Sequence, residues 1–387
     1  MKKRVISFAL AVTLCFALCG CSSLFKKDYL SVTKYTDETH QSNNGDAISV
    51  ANYDELRQAV ISMINSHSTE EKLKFTDYGE SLQSDLAQVG WAVKADTALG
   101  SYAVDYISYD LNPIAGYYEA IVYITYRHSQ SELREIRYAS SKAELPQKIA
   151  PALDKLGKNV AIRITSSTIT QDEALLALER AYTGNPAGCV VAPTATVKIH
   201  PESGTQRIIE YELNYGKSMS ELKKLKAALE EKIAALTSSL PTNTPAHFAL
   251  AAYNALAQAC TYDPDTKLRD NRPELENSLG ETAYGALCEG VADSRGIALA
   301  YSALCHSAGI ESMVVRGSVN KIDHFWNIIK IEGAYYHVDV SATKTAGVAA
   351  SFMRSDAQMQ GNYWWNIESY PECSGLKTYY DIPSRAF

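Results

Sequence analysis

A cysteine at the start of a predicted helix is the first residue in this sequence that could carry covalent chemistry. Cys288 follows a loop that contains the small residues Gly285 and Ala286, and it precedes a helical pattern over residues 291–308 that stops at Gly309. The backbone N–H groups and the positive end of the helix dipole at such a position favour the thiolate over the thiol. The same N–H groups are suited to hold the oxyanion that forms on an attacked carbonyl. We therefore predict that Cys288 is a nucleophile.

A histidine and an aspartate on two neighbouring predicted strands complete a candidate catalytic set. If Glu332 and Gly333 form a two-residue hairpin turn, Trp326 faces Asp339 and His324 lies diagonal to Asp339 on the same face of the sheet. The diagonal backbone separation of roughly 7–8 Å is within reach of an aspartate–imidazole hydrogen bond. Such a bond would hold one ring nitrogen and leave the other to accept the proton of the nucleophile.

These residues occur in an order that is similar to a known family. The three motifs Cys288-Glu289-Gly290, His324-Phe325-Trp326-Asn327 and Tyr336-His337-Val338-Asp339 resemble the bacterial transglutaminase-like superfamily, which has a papain-like Cys-His-Asp core. The signature covers residues 285–343. By this resemblance Cys288 is the nucleophile, His324 the base and then the acid, and Asp339 the group that orients the imidazole. The resemblance also implies an α+β fold from about residue 241 onward, with helices packed on an antiparallel sheet.

Four further residues are candidates for supporting roles. Tyr262 resembles a family landmark and could donate to the oxyanion, or it could be an ordinary packed or surface tyrosine. Trp326 is expected to cover the imidazole or to touch substrate, while Glu289 and Asn327 are expected to orient the loop and the strand. The resemblance has one departure: related chains often carry a threonine soon after the aspartate, where this chain has Val340-Ser341-Ala342-Thr343.

The elements that must position these residues can be read from capping and periodicity. Apolar residues at helical spacing from Leu222 to Leu236 predict a helix from about Ser220, and Thr244-Pro245 supplies an N-cap and first turn for the next one. Residues 312–318 alternate like a strand. A domain boundary is therefore expected near residue 240.

The region before this boundary repeats itself at an offset of 89 residues. We read helix, short strand, helix and two longer strands in each copy, and we predict two repeated α/β modules. Both copies are expected to serve as scaffold or ligand-presenting modules, with carbohydrate or peptide binding through exposed tyrosines as the alternative. The matching positions are Asn52/Glu55 with Ser141/Glu144 as capping boxes, strand 73–76 with 162–165, Leu86/Val89 with Leu175/Leu178, and Tyr126 with Tyr215.

The amino terminus has the pattern of an export signal. Lys2, Lys3 and Arg4 precede an apolar run over residues 5–18, which is short for a membrane span. The run ends in a stretch that resembles the bacterial lipoprotein box, and this resemblance implies lipidation of Cys21 and an anchor on the extracytoplasmic face of the cell membrane. An ordinary cleaved signal peptide is the alternative. The polar residues that follow are expected to form a flexible tether.

Composition limits the partners and cofactors. The 387-residue chain has 37 Lys and Arg against 44 Asp and Glu, and this acidic balance argues against nucleic acid as a partner. Apart from Cys21 and the two cysteines of the leader, five cysteines remain, and this odd number indicates at least one free thiol. Zinc-type spacing and EF-hand loops are absent, so neither a metal nor another cofactor is predicted.

The sequence thus predicts a surface-anchored cysteine enzyme that cleaves or transfers amide bonds through a thioester. Hydrolysis is favoured because water is always present, and the expected substrate is a protein or peptide of the cell envelope, including peptidoglycan stem peptides. The competing hypotheses are a non-catalytic adhesion or peptide-binding lipoprotein and a structural envelope factor. The expected organisation is a signal peptide at 1–20, a tether at 21–50, α/β modules at 51–139 and 140–218, and a transglutaminase-like domain with its leading helix at 219–387.

Overall fold

A computed structural model describes residues 47–166, 168–265 and 279–382. The predicted signal peptide, the lipidation site Cys21 and most of the predicted tether lie outside the described residues. The chain from Ala47 onward forms one compact unit. Among the described helices, none is both long and apolar enough to cross a membrane. All five cysteines of the described part are free thiols.

The first α/β unit is a four-stranded sheet with three helices. Its elements are β1 (Ile48–Ser49), α1 (Tyr53–Ser66), β2 (Glu70–Phe75), α2 (Leu82–Asp96), α3 (Ala98–Ala103), β3 (Val104–Ile114) and β4 (Tyr117–Tyr126). The strand order is β1-β2-β4-β3, with β1 parallel to β2 and the other pairs antiparallel. The strands and helices predicted for this part of the chain are therefore present, and each helix buries one apolar face, as amphipathic helices on a sheet must.

The two predicted capping boxes have different outcomes. At α1, Asn52 accepts a hydrogen bond from the backbone N–H of Glu55 at 3.0 Å, and the Glu55 carboxylate accepts one from the N–H of Ala51 at 2.8 Å. The second box is wrong, because Ser141 makes no capping bond and the Glu144 carboxylate is bound to Ser140 instead. A single 3₁₀ turn separates this site from the next α-helix.

The second α/β unit has the same arrangement of strands. Its elements are α4 (Gln130–Arg134), β5 (Arg137–Ala139), α5 (Leu145–Asp154), β6 (Asn159–Thr165), α6 (Gln171–Thr183), β7 (Thr194–His200) and β8 (Gln206–Asn214). The order is β5-β6-β8-β7, again with a parallel first pair and antiparallel pairs after it. Both sheets thus use one topology, while duplication of the sequence itself stays a prediction.

One pair of tyrosines makes equivalent contacts in the two units. Tyr126, at the end of β4, donates its hydroxyl to the carbonyl of Ser68 at 2.8 Å. Tyr215, which is 89 residues later and follows β8, donates to the carbonyl of Gly157 at 2.9 Å, and Gly157 is also 89 residues after Ser68. Each bond ties the last strand to the loop before the second strand of its sheet.

The C-terminal part is a set of helices packed on a five-stranded antiparallel sheet. Its main elements are α7 (Met219–Ser239), α8 (Pro245–Ala259), β9 (Thr261–Tyr262), β10 (Val291–Ala292), α9 (Ser294–Ser307), β11 (Ser312–Val319), β12 (Ile322–Ile331) and β13 (Ala334–Val338), then the short α10 (Thr343–Ala346), α11 (Val348–Ser351), β14 (Phe352–Arg354), α12 (Asp356–Met359) and β15 (Tyr363–Trp365). The sheet order is β14-β13-β12-β11-β15. The α+β fold predicted for this part is confirmed, as are the N-cap at Thr244 and the turn at Glu332-Gly333.

Helix α9 is the centre of this arrangement. Most of its residues are buried, including Leu299, Tyr301 and Leu304, which are fully inaccessible. It packs on α7, α8, β11 and β12, so apolar residues surround it on nearly every side. The same hydrophobic core continues into the second α/β unit through residues of α6, so this unit and the C-terminal part are packed as one body.

A glycine opposite His324 tests how closely this sheet is packed. Gly317 faces His324 across the β11–β12 ladder, and a Cβ atom there would lie 2.2 Å from the Trp364 carbonyl and 2.5 Å from the Trp326 ring. We expect Gly317→Ala to lower the free energy of unfolding by about 1–3 kcal/mol, because the methyl group overpacks the site. Urea unfolding measures this change in the free energy of unfolding. Gly79→Ala is the matched control, since no heavy atom lies within 4 Å of a Cβ atom added at Gly79. Equal losses of unfolding free energy in both variants would contradict the expectation.

Candidate active site

His324 and Asp339 form a hydrogen-bonded pair at the end of the β12–β13 ladder. The Nε2 atom of His324 lies 2.8 Å from Oδ2 of Asp339. The ladder runs from Ile331 opposite Ala334 to Asn327 opposite Val338, so the next residues on β13 leave the strand and the two side chains meet diagonally. This is the geometry that the two-residue turn predicted. We call these residues the His–Asp pair.

Asp339 is a buried carboxylate surrounded by donors. It is 2% exposed, and besides His324 it accepts hydrogen bonds from the hydroxyl of Ser341 at 2.6 Å, the hydroxyl of Tyr363 at 2.8 Å and the N–H of Ala342 at 3.2 Å. Burial by itself raises the pKa of Asp339, but the donors, His324 above all, hold it below its usual range. The carboxylate therefore stays ionised and can stabilise a protonated imidazole.

The other nitrogen of His324 is available for chemistry. Within the described residues, Nδ1 of His324 makes no hydrogen bond, while Nε2 contacts Asp339 and, at 3.2 Å, the hydroxyl of Ser341. The ring lies over Trp326 with centroids 6.2 Å apart and an interplanar angle of 25°, and Tyr363 meets it edge-on. The imidazole is thus oriented by packing on one side and by the carboxylate on the other, and Nδ1 has no partner among the described residues.

The indole of Trp326 belongs to a second polar network beneath the pair. Its Nε1–H donates to Nδ1 of His337 at 2.9 Å, and Nε2 of His337 lies 2.7 Å from Oδ1 of Asp356. The other carboxylate oxygen of Asp356 accepts the N–H of Cys373 at 3.1 Å. Burial lowers the pKa of His337, so the ring is neutral. This network holds Trp326 in place from below.

His337, Asp356 and Cys373 also have the residue types and spacing of metal ligands, since their ligand atoms lie within 4.8 Å of one another. The tautomer of His337 argues against that use. The indole N–H of Trp326 can only donate, so Nδ1 of His337 must carry the lone pair and Nε2 the proton. A metal ion on Nε2 would have to displace this proton and the bond to Asp356. We therefore interpret the group as a hydrogen-bond network that supports Trp326.

The structure does not bring Cys288 to the His–Asp pair. Cys288 lies in a π-helical turn, Gly285–Glu289, that ends at Gly290 in the left-handed conformation. Its sulfur faces α7, 3.9 Å from the carbonyl of Ala228, and within the described residues it makes no hydrogen bond with His324. Burial raises the pKa of the Cys288 thiol; Lys232 opposes this shift and Glu289 adds to it. Two members of the predicted triad are thus joined, and the third is turned toward a different helix.

The reason is that the long helix begins later than the sequence pattern suggested. We predicted a helix from Val291, but Val291 and Ala292 form β10, which pairs with β9, and α9 starts at Ser294. The carboxylate of Asp293 caps α9 by accepting the N–H of Gly296 at 2.9 Å. Aspartate is one of the preferred N-cap residues, so a signal for this helix start was present in the sequence.

Ser294 is the residue of the helix start that meets the histidine strand. Its Oγ accepts the backbone N–H of Phe325, the neighbour of His324, at 3.2 Å, and the residue is 6% exposed. Phe325 lies beyond the last β12–β13 pair, so its N–H has no partner on β13 and the serine replaces one. Sequence analysis missed this residue.

The supporting residues predicted from sequence occupy three different places. Tyr262 is 39% exposed on β9; burial raises the pKa of its hydroxyl, and the carboxylates of Asp293 and Asp339 add to the shift. Glu289 is exposed on the turn that carries Cys288. Asn327 is buried and donates its amide N–H to the carbonyl of Ala298 at 2.9 Å, which ties β12 to α9.

A cleft of about 570 Å³ opens at the start of α9. Ser294 and Phe325 line it on one side, and Leu175, Leu176 and Glu179 of α6 line it on the other. Arg295, the residue after Ser294, donates to both carboxylate oxygens of Glu179 at 2.7 and 2.8 Å. The second α/β unit therefore forms a wall of the cleft.

A wider cleft of about 960 Å³ adjoins it, and Arg316 and Asp323 line both. Tyr363, which donates to Asp339, and Trp364 lie in the wider cleft. The two clefts therefore adjoin along β11 and β12, and Tyr363 links the wider one to Asp339.

Comparison with known proteins relates the C-terminal part of the chain to one family. Residues 234–340 match the model of the transglutaminase-like superfamily. Two solved structures resemble the chain: a TGase with 13% identity and a TM-score of 0.28, over 59% of this chain and 66% of that one, and a "putative protease" from Parabacteroides distasonis ATCC 8503 with 9% identity and a TM-score of 0.22, over 74% and 63%. This chain thus spans slightly less than two thirds of either protein. No curated protein matches the sequence.

The position of Cys288 leads to a prediction about its reactivity. We expect alkylation of Cys288 by iodoacetamide to be slow near neutral pH and to rise only above the pH at which free cysteine titrates, about 8.5, because burial disfavours the thiolate. The rate should be the same in His324→Ala, since the two side chains do not interact. Peptide mapping by mass spectrometry after timed labelling measures it. A reactivity plateau below pH 7 that disappears in His324→Ala would show the two groups to be paired.

Asp293 leads to a prediction about pH and stability. Burial, with the help of the Glu281 carboxylate, raises the pKa of Asp293 to about 6, although the N–H of Gly296 acts in the opposite direction. Between the unfolded pKa of about 3.9 and the folded value, the native state binds the extra proton, so stability falls as pH rises through this window. We expect Asp293→Asn to remove that slope. Between pH 4 and pH 7, the free energy of unfolding of the parent should fall by up to about 3 kcal/mol more than that of the variant.

Urea unfolding of both proteins at several pH values between 4 and 7 measures the slope, because asparagine retains the N-cap acceptor. Asp77→Asn, at an exposed position, is the matched control and should leave the pH profile unchanged. Parallel profiles for the parent and Asp293→Asn would contradict the expectation.

Proposed function

Since the C-terminal part of this chain is a transglutaminase-like domain, we propose that the protein is an acyl-transfer enzyme that cleaves or transfers amide bonds. The observation that carries the proposal is the His–Asp pair: an imidazole bound through Nε2 to an ionised, buried carboxylate, with Nδ1 left free. A histidine held in this way is suited to act first as base and then as acid.

The proposed reaction uses this pair in two steps. Nδ1 of His324 takes the proton of the nucleophile as the nucleophile attacks the amide carbonyl, and Asp339 stabilises the imidazolium that forms. The imidazolium then protonates the leaving amine, so the C–N bond breaks and an acyl-enzyme remains. Attack by water releases a carboxylic acid, and attack by an amine gives a new amide. We propose hydrolysis, because water needs no acceptor site.

Two neighbouring groups support the pair in this proposal. Tyr262, on β9, presents a partly exposed hydroxyl and is a candidate oxyanion donor in this proposal. Trp326 covers one face of the imidazole and limits its contact with water, which strengthens the interaction between the ring and Asp339.

The proposed substrate and location follow from the leader and the clefts. The lipoprotein-like leader that ends at Cys21 supports an exported protein held by lipid on the extracytoplasmic face of the membrane. Substrates there would be proteins or peptides, including peptidoglycan stem peptides. The adjoining clefts of about 570 and 960 Å³ along β11 and β12 are consistent with an extended peptide.

One observation favours a second function. Because the thiol of Cys288 faces away from His324, a non-catalytic peptide-binding lipoprotein that retains the fold as a scaffold would account for its position. Such a protein would bind peptides without cleaving them, and its binding would not depend on the proton-transfer ability of His324.

The experiment is peptide cleavage by the purified full-length protein. A synthetic peptide library, incubated with the protein and analysed by mass spectrometry, should yield cleavage products. We expect His324→Ala to abolish them and Asp339→Asn to reduce their rate by roughly 10²–10⁴-fold, because the base is lost in one variant and loses its orienting charge in the other. His247→Ala, a partly buried histidine at the start of α8, is the matched control and should retain activity.

Hydroxylamine added to the same reaction should convert part of the acyl-enzyme to hydroxamate, which reports transfer as opposed to hydrolysis. If the wild-type protein cleaves no peptide, or cleaves equally well as His324→Ala, the enzyme proposal is wrong and the binding function becomes the better explanation.

A further inference from the structure

We propose that the hydroxyl of Ser294, and not the thiol of Cys288, is the group that His324 deprotonates, so that the acyl intermediate is an ester on Ser294. This inference rests on the proposed acyl-transfer function and names its nucleophile. It would make the site a Ser-His-Asp triad formed by α9, β12 and the segment that follows β13.

One hydrogen bond places the hydroxyl of Ser294 close to the backbone of His324. Its Oγ lies 3.2 Å from the backbone nitrogen of Phe325. In any peptide that nitrogen is about 2.4 Å from the Cα atom of the preceding residue, which here is His324, so Oγ of Ser294 lies within about 6 Å of that Cα atom. An imidazole can span this distance, and its Nδ1 atom is the one without a partner among the described residues.

The local backbone explains why a side chain of α9 reaches this position. The β12–β13 ladder stops at Asn327 and Val338, and the N–H of Asp339 then bonds to the carbonyl of Ser351. This separation opens a gap beside β12 where the N–H of Phe325 points. Ser294 enters the gap and binds the N–H of Phe325, while Asp339 binds His324 through Nε2, so Ser294 and Asp339 reach neighbouring residues of β12.

The hydrogen bonding of Ser294 leaves its proton free. The hydroxyl oxygen accepts the N–H of Phe325, and it donates to no described residue. The hydroxyl hydrogen can therefore turn toward Nδ1 of His324. Ser294 is the first residue of the 14-residue helix α9, so its oxygen lies at the positive end of the helix dipole, although the N–H of Gly296 in this turn is already bound by the carboxylate of Asp293. The cleft at the start of α9, which Ser294 lines, provides access for a substrate.

The proposed chemistry balances with water as the only co-reactant. Oγ of Ser294 forms a bond to the amide carbon while its O–H bond breaks and the proton passes to Nδ1 of His324. The C–N bond then breaks, and the proton goes to the leaving amine. Water attacks the resulting ester and gives a proton to His324, and this proton returns to Ser294 as the ester C–O bond breaks.

A merely structural role for Ser294, as a tie between α9 and β12, makes different predictions, so labelling separates the two. A fluorophosphonate probe reacts with activated serine hydroxyls. In the full-length protein we expect it to label Ser294, and we expect labelling to fall at least about 100-fold in His324→Ala while Cys288→Ala stays at the wild-type level. Ser302→Ala is the matched control, because Ser302 is a second buried serine on α9 and should be irrelevant to labelling.

The variant Ser294→Cys keeps the proposal testable if Ser294→Ala fails to fold. A thiol at this position should pair with His324 and react with iodoacetamide on a plateau that reaches below pH 7, and the plateau should disappear when His324→Ala is added. Cys288 in the parent protein should show no such dependence. Thermal unfolding of each variant reports whether the fold is retained.

The outcomes distinguish this inference from the proposed function. Peptide cleavage that needs His324 and Cys288 but survives Ser294→Ala would overturn the assignment of Ser294 and leave the enzyme proposal intact. Absence of fluorophosphonate labelling at Ser294 in the folded wild-type protein would also overturn the assignment. Labelling of Ser294 without cleavage of any peptide supports the nucleophile and counts against an amide substrate.

Discussion

The hydrogen bond between His324 and the buried carboxylate of Asp339 sets the requirements that the rest of the C-terminal sheet meets. A carboxylate at 2% exposure is costly unless several donors compensate for the lost water. The four donors to Asp339 come from three separate segments: β12, the turn after β13, and β15 at the far edge of the sheet. The strand order and the early end of the β12–β13 ladder are what bring these segments to one point.

Helix α9 depends on the same geometry and links the site to the rest of the molecule. Two hydrogen bonds join α9 to β12, one at Ser294 of the helix and one at Asn327 of the strand. The second residue of α9, Arg295, donates to Glu179 of α6. Arg295 also lies over the rings of Tyr182 and Phe325. A change in the packing of the second α/β unit would therefore reach the start of α9, so this unit takes part in shaping the cleft as well as supporting the fold.

In the polar network under Trp326, the indole N–H of this residue decides the tautomer of His337. Because the indole N–H can only donate, it determines which nitrogen of His337 carries the proton, and that nitrogen then bonds to Asp356. The result is a neutral histidine that fixes the position of Trp326, while His324, on the other side of the indole, keeps Nδ1 free. Two histidines on adjacent strands thus have opposite roles because their partners differ.

The sequence alone determined the parts of this protein that depend on local rules. A two-residue turn and a side-chain period of two place His324 diagonal to Asp339, and capping residues locate the starts of α1 and α8, because each of these features is specified within a few residues. The strand and helix patterns of both α/β units are equally local.

Only the tertiary structure decided which residue at the start of α9 contacts the strand that carries His324. The turn at Gly290 and the two-residue strand β10 move the helix start from the region of Cys288 to Ser294, and β10 exists only because β9, some thirty residues earlier in the chain, pairs with it. A pairing between distant segments leaves no periodic signal in two residues, and with this pairing Cys288 lies against α7 and Ser294 binds the N–H of Phe325 on β12.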